Sequence, residues 1–172
     1  MIEASTSGDE RDHAAVSAFV ERFSSIMVDI GWPRMPARVF VTLLASETSG
    51  LTAAQLAERL QVSPAAISGA VRFLLQLDLA SRDREPGSRR DVFRVDDDVW
   101  ARVVEREMRA TTKWRDYLST GIAAVGENTL AAARLSEMIH FFDFLDEQMP
   151  DLMRRWHDQR NAYPQPPRPG GR

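Results

Sequence analysis

Residues 51–95 read LTAAQLAERLQVSPAAISGAVRFLLQLDLASRDREPGSRRDVFRV, and two helix starts inside them decide the fold. Thr52 is a good N-cap, and Gln55 three residues later closes a capping box. Ala53, Leu56, Ala57 and Leu60 then recur at helical spacing and form one apolar face. The turn falls at Gln61-Val62. Ser63 caps a second helix whose first residue is Pro64, where a missing N–H costs nothing. Ile67, Ala70, Val71, Leu74 and Leu77 recur every three or four residues and face inward. Ser63, Pro64, Ala65, Ala66, Ser68, Gly69, Arg72 and Gln76 are left for the outside. From Ser81 to Arg94 the text becomes a basic hairpin, with Val92, Phe93 and Val95 as strand and Pro86-Gly87 as turn.

The outer face of the second helix is small and hydroxylated near its N-terminus, with Arg72 further along. Helix N-termini and hydroxyls suit phosphates, and short side chains allow close approach to base edges. The hairpin carries Arg82, Arg84, Ser88, Arg89, Arg90 and Arg94 against Asp83, Glu85 and Asp91, which fits contact with a DNA backbone or minor groove. Two plainer readings stand beside these: a solvated helix surface, and a charged hairpin occupied by its own Arg–Asp pairs. The pattern as a whole is a helix-turn-helix with a wing, mainly α with a small β element.

Leu60-Gln61-Val62-Ser63, then Ala66-Ile67-Ser68, Leu74 and Leu77, with Arg82 and Arg89-Arg90 in the wing, resemble the MarR family of winged-helix regulators. The wing text REPGSRRDVFRVDDDVW is similar to the GbsR-type branch. The resemblance runs from about His13 to about Trp156. Two positions depart from the family pattern: Ser88 precedes Arg89-Arg90 where an aspartate is common, and Asp78 replaces the glycine that usually follows the recognition helix. Asp tolerates the left-handed conformation needed there, less readily than Gly. The resemblance implies a dimeric reader of near-palindromic double-stranded DNA, a repressor by family habit. It also implies a small effector in the cleft between reader and dimerisation lobe, and for the GbsR-type branch an association with osmoprotectant or choline metabolism. Aromatic faces bind quaternary ammonium groups, so Trp32, Trp100, Trp114, Tyr117 and Phe141, with His140 beside the last, are the candidate ligand contacts. Core packing is the competing role for each aromatic, and partial burial the competing role for His140.

The remaining chain supports that organisation. With 172 residues and 44% hydrophobic residues it can bury one core plus an extension. No cysteine is present, so disulfides and thiolate metal sites are excluded. No apolar run is long enough to span a membrane, and no basic-then-apolar leader opens the chain; a cytoplasmic location is expected. Net charge is −3, but residues 52–94 hold seven arginines against five acids. The reader is thus the only net-positive segment, as an electrostatic footprint requires.

Residues 1–11 and the Pro/Gly-rich 161–172 are expected to be disordered. A dimerisation helix occupies 12–31, with Val16, Phe19, Val20, Phe23, Ile26, Met27 and Ile30 on one stripe. The DNA-binding domain spans 32–95 and opens with a helix from about Pro36 to Glu47 that buries Val39, Phe40, Leu43 and Leu44. A helical dimerisation region follows over 96–160. There Asp96-Asp97-Asp98 reads as an N-cap with an acidic first turn, not a metal site. Gly121 and Gly126 mark a break or turn. A helix over about Glu127–Met149 ends or kinks at Pro150, before a short tail helix carrying Leu152, Met153 and Trp156. These flanking helices hold more apolar surface than a small winged helix can cover, which predicts an isologous homodimer.

No nucleophile elbow, phosphate-binding glycine loop or zinc-protease motif occurs, so no enzyme and no cofactor is expected. His13, His140 and His157 are too scattered for a ligand set, and Asp143, Asp146 and Glu147 form a solvated acidic face. The rival from another class is a winged-helix protein-interaction module that never reads DNA.

Overall fold

The computed structural model describes residues 12–84 and 90–163. Their order is α1 (His13–Asp29), α2 (Arg34–Leu44), β1 (Leu51–Thr52), α3 (Ala53–Leu60), α4 (Pro64–Gln76), β2 (Ser81–Arg84), β3 (Asp91–Arg94), α5 (Val99–Val125) and α6 (Leu130–Ala162). The chain divides into two compact units, one reaching Asp97 and one beginning at Asp98.

In the first unit, α2 is the hub. It packs on α1, α3 and α4, and Ala37, Val39, Phe40 and Val41 are fully buried. Leu51, Leu56, Ile67 and Leu74 close around it with no exposed surface, each apolar side chain contributing roughly 1.5–3 kcal/mol. The helix starts at Arg34 and stops at Leu44, earlier at both ends than the spacing suggested. Pro33 is its N-cap, with Pro36 in the first turn, where prolines fit. Leu44, expected inside, is half exposed, because the helix ends there and its last residue faces outward.

The three strands form an antiparallel sheet in the order β1-β3-β2. β1 was not anticipated, since two residues carry no periodicity. It pairs Leu51 with Phe93 and Thr52 with Val92, which fastens the wing to the start of α3. Gly50 sets the spacing, because a Cβ there would lie 2.5 Å from Val92 Cγ1 and 2.8 Å from the Phe93 carbonyl oxygen.

The second unit is the pair α5 and α6. Gly121 does not break α5; it lies inside the helix, where a Cβ would meet Leu135 Cδ1 at 3.2 Å. Gly126, at φ 89°, makes the turn, and the Thr129 hydroxyl caps α6 by accepting from the Ala132 N–H. The expected end at Pro150 is a correction: α6 runs through it to Ala162, past the boundary set at residue 160. A proline removes one helical hydrogen bond and crowds one carbonyl. The long turns on either side hold the helix together across that single gap.

Asp98 stands at the N-cap of α5 but makes no capping bond. Its carboxylate instead meets Trp156 Nε1 at 3.4 Å, Arg160 Nη1 at 3.6 Å and His157 Nδ1 at 3.7 Å, tying the start of α5 to the end of α6. The expected solvated acidic face is likewise occupied. Arg115 of α5 reaches Asp143 at 2.7 Å and Asp146 at 2.6 Å, and hydrogen bonding to Asp143 holds its guanidinium above the usual arginine range.

Candidate nucleic-acid interface

The reader is built from its caps inward. Thr52 accepts from the Gln55 N–H at 3.3 Å while the Gln55 side chain accepts from the Thr52 N–H at 2.8 Å, completing the capping box. α3 ends on Gln61 at φ 52°. The Val62 N–H donates to the Ala57 carbonyl at 3.0 Å and that of Gln61 to Glu58 at 3.2 Å, the paired bonds of a Schellman closure. Ser63 then caps α4 by accepting from Ala66, with Pro64 at the first position. At the far end Asp78 takes φ 55°, and the Leu79 and Asp78 N–H groups close onto Leu74 and Leu75. The aspartate thus does the work of the glycine usual at that position.

Burial sorts the two faces of α4 as the spacing implied. Ile67, Ala70, Val71 and Leu74 are buried, and Leu77 is half-buried. Ser63, Pro64, Ala65, Ser68, Gly69 and Arg72 are exposed, with Ala66 half-buried. They form one continuous surface of short side chains at the N-terminal half of the helix. Gly69 has nothing within 4 Å of where a Cβ would stand. Mid-helix glycine costs roughly 0.5–1 kcal/mol relative to alanine, and no neighbour in the described fold requires it.

The wing arginines divide into two roles. Arg94 is a brace: its guanidinium reaches Asp83 at 2.7 Å and Asp96 at 2.9 Å, and Ser81 also donates to Asp96. The hydrogen bond to Asp96, ahead of the charges of Asp83 and Asp96, holds Arg94 above the ordinary arginine range. Arg82 and Arg84 meet Asp91 only at 3.5 and 3.8 Å, with side chains 59% and 82% exposed. Exposed pairs at such distances are worth about 0–1 kcal/mol, so both cations remain available to a partner. Arg90 is exposed beside them. Ser88 and Arg89 lie outside the described residues. The internal Arg–Asp pairs of the plainer reading are therefore present, and they engage Arg94 firmly and the outer arginines weakly. Asp83 and Asp96 were not singled out as braces; for Asp83 the signal was an opposite charge on the facing strand, and for Asp96 its place two residues after Arg94.

The proposed ligand contacts fall in both units. Trp32 belongs to the first unit and packs on Phe40, with ring centroids 5.5 Å apart. In the second unit Trp114 stands edge-on to Phe142 at 5.7 Å, and Phe141 lies 6.0 Å from the same ring. Trp100 and Tyr117 are exposed. His140 is exposed, not partly buried, because it points off the α6 face opposite Phe142. None of them lines an open cavity of about 290 Å³ between α5 and α6, which is formed by Glu105, Met108, Arg109, Asp146, Met149, Pro150 and Met153. Among the described residues no His/Asp/Glu cluster is arranged to hold a metal ion, and no helix is long and apolar enough to cross a membrane.

Comparisons with known proteins agree with this geometry. A MarR family model matches residues 30–91, and a model of MmpR5-like MarR family transcriptional regulators matches residues 98–159. HTH-type transcriptional regulator MmpR5 of Mycobacterium tuberculosis is 25% identical over 142 residues, 82% of this chain and 86% of that protein. The crystal structure of a transcriptional regulator shares the fold with a TM-score of 0.75 at 24% identity, covering 84% of this chain and 99% of its own. With the reader and the helices after it each matching a model of the same family, the chain belongs to the MarR family of winged-helix transcriptional regulators.

Proposed function

We propose that this regulator acts as a homodimeric repressor that reads a near-palindromic operator. α4 enters the major groove through Ser63, Pro64, Ala65, Ala66, Ser68, Gly69 and Arg72, and Arg82, Arg84, Ser88, Arg89 and Arg90 grip the flanking backbone. The observation that carries this is the outer face of α4, capped at both ends, seated by its buried side and left small and uncovered over Gly69. Repression follows from occupancy: a dimer on its operator competes with transcription initiation.

The dimer reading is supported by apolar surface the single chain leaves open. α1 and its C-cap expose Phe19, Ile26 and Ile30, and α6 exposes Phe141, Phe144 and Trp156. Patches of that kind on helices mark association surfaces. In this reading 12–31 and 96–160 serve dimerisation and 32–95 serves DNA binding. The cavity of the second unit supports a small-effector reading there, since Met108, Met149 and Met153 adapt their shape to a guest. Within the family, the wing text supports a GbsR-type reading over residues 84–100, whereas the match over 98–159 supports an MmpR5-like one across a longer stretch. A cytoplasmic location follows from the regulatory role.

Replacing Arg89 and Arg90 together by alanine tests the reading. A DNA reader loses affinity and salt dependence, whereas a protein-interaction module keeps its partner and shows no salt-dependent DNA binding to lose.

A further inference from the structure

α2 carries one side chain that touches both α1 and the end of α3. Arg38 is only 17% exposed, and its Nε and Nη2 donate to Glu21 Oε1 of α1 at 2.9 and 2.5 Å. The same Nη2 also lies 3.4 Å from the carbonyl oxygen of Leu60, the last residue of α3. That carbonyl is one of the four that a helix leaves without an intrahelical partner. The Schellman bonds satisfy Ala57 and Glu58; the cation of Arg38 serves Leu60, and a positive charge is favoured at that pole of the helix dipole. Three residues further on, Ser63 caps α4. The elbow between the two reader helices is Gln61 to Ser63, so whatever holds Leu60 sets the angle at which α4 leaves.

We infer that Arg38 is a positioning residue for DNA recognition, linking α1 to the elbow of the reader through Glu21 and the Leu60 carbonyl. It contacts no DNA itself. The inference rests on the DNA reading above and adds a route by which the state of α1 reaches the recognition helix, entirely within the first compact unit. Arginine is needed and lysine does not suffice, because one planar fork must serve two acceptors on different helices. Any movement of α1 that pulls Glu21 away releases the Leu60 carbonyl and loosens α4.

The test uses the full-length protein and an inverted-repeat duplex recovered by selection from genomic fragments, beside a scrambled duplex. Arg38→Met lowers affinity for the selected duplex by roughly tenfold, the size of a coupling between groups in contact. Affinity for the scrambled duplex and the slope of log affinity against log salt stay unchanged. Arg38→Lys recovers little. Equal losses on both duplexes, or a fall in melting temperature with unchanged affinity, make Arg38 a structural residue and overturn the inference. Should Arg38→Met fail to fold, Glu21→Gln, at a half-exposed site, gives the second measurement. Its amide shifts then move at Gln61, Val62 and Ser63, on another helix and elbow. Changes confined to α1 and α2 overturn the inference. If the wild-type protein selects no sequence at all, the DNA reading fails, and the role of Arg38 falls with it; selection by the wild type with an unaffected Arg38→Met removes the Arg38 role alone.

Discussion

Gly69→Ala should make the protein more stable and a worse DNA binder. Gly69 lies in the interior of α4, exposed, with open space where a Cβ would be. Alanine there costs no steric strain in the free protein. It removes the entropy penalty of glycine, for a gain of roughly 0.5–1 kcal/mol. In a protein of this length 1 kcal/mol raises the melting temperature by about 2–4 °C, so a rise of about 1–4 °C is expected at fixed protein concentration. The added methyl points off the face assigned to the major groove. An extra methyl in a closely packed contact costs about 1–3 kcal/mol, which is roughly 5- to 150-fold in affinity. Anisotropy titration of a selected duplex at one fixed salt concentration reads that loss, and Gln76→Ala at the far end of the same helix serves as control. A stabilised variant that binds the duplex as tightly as wild type would refute the assignment of this face.

Other consequences follow from the wing, the elbow and the sheet. Arg84→Ala changes stability by less than about 0.5 kcal/mol, because its exposed pair with Asp91 is long. Its affinity falls about equally on selected and scrambled DNA, and the salt slope drops by about 0.9, as titrations at several salt concentrations would show. Gln61→Gly relieves a left-handed residue at φ 52° and raises unfolding stability by about 1 kcal/mol in urea. Gly50→Ala does the opposite: the new methyl meets the β3 backbone at 2.8 Å, and chemical denaturation should register a loss of about 1–3 kcal/mol.

The reader was legible because its signals are local. Thr52 with Gln55, Ser63 with Pro64, and the three-and-four spacing from Ile67 to Leu74 each describe a structure within one or two turns, and each is found in place. Asp78 in the left-handed region was legible for the same reason. What escaped depends on partners distant in the chain. β1 exists only because Leu51 meets Phe93. Asp98 gives up a capping role for Trp156, His157 and Arg160. Pro150 carries a local signal for an end or a kink, and the helix nevertheless continues through it to Ala162. Among the expected DNA contacts, those on α4 share one surface and Arg82, Arg84 and Arg90 share the wing, whereas the aromatic ligand contacts fall in both units, Trp32 in the first and the others in the second.

We propose that two copies of this chain read one inverted repeat. Purified protein should be mixed with genomic DNA fragments at several salt concentrations, and the retained fragments sequenced. Enrichment of a short inverted repeat, bound as one dimer per site with a steep salt dependence, is the predicted result. Retention that is weak, indifferent to sequence and unchanged in the Arg89/Arg90 double-alanine protein would contradict it.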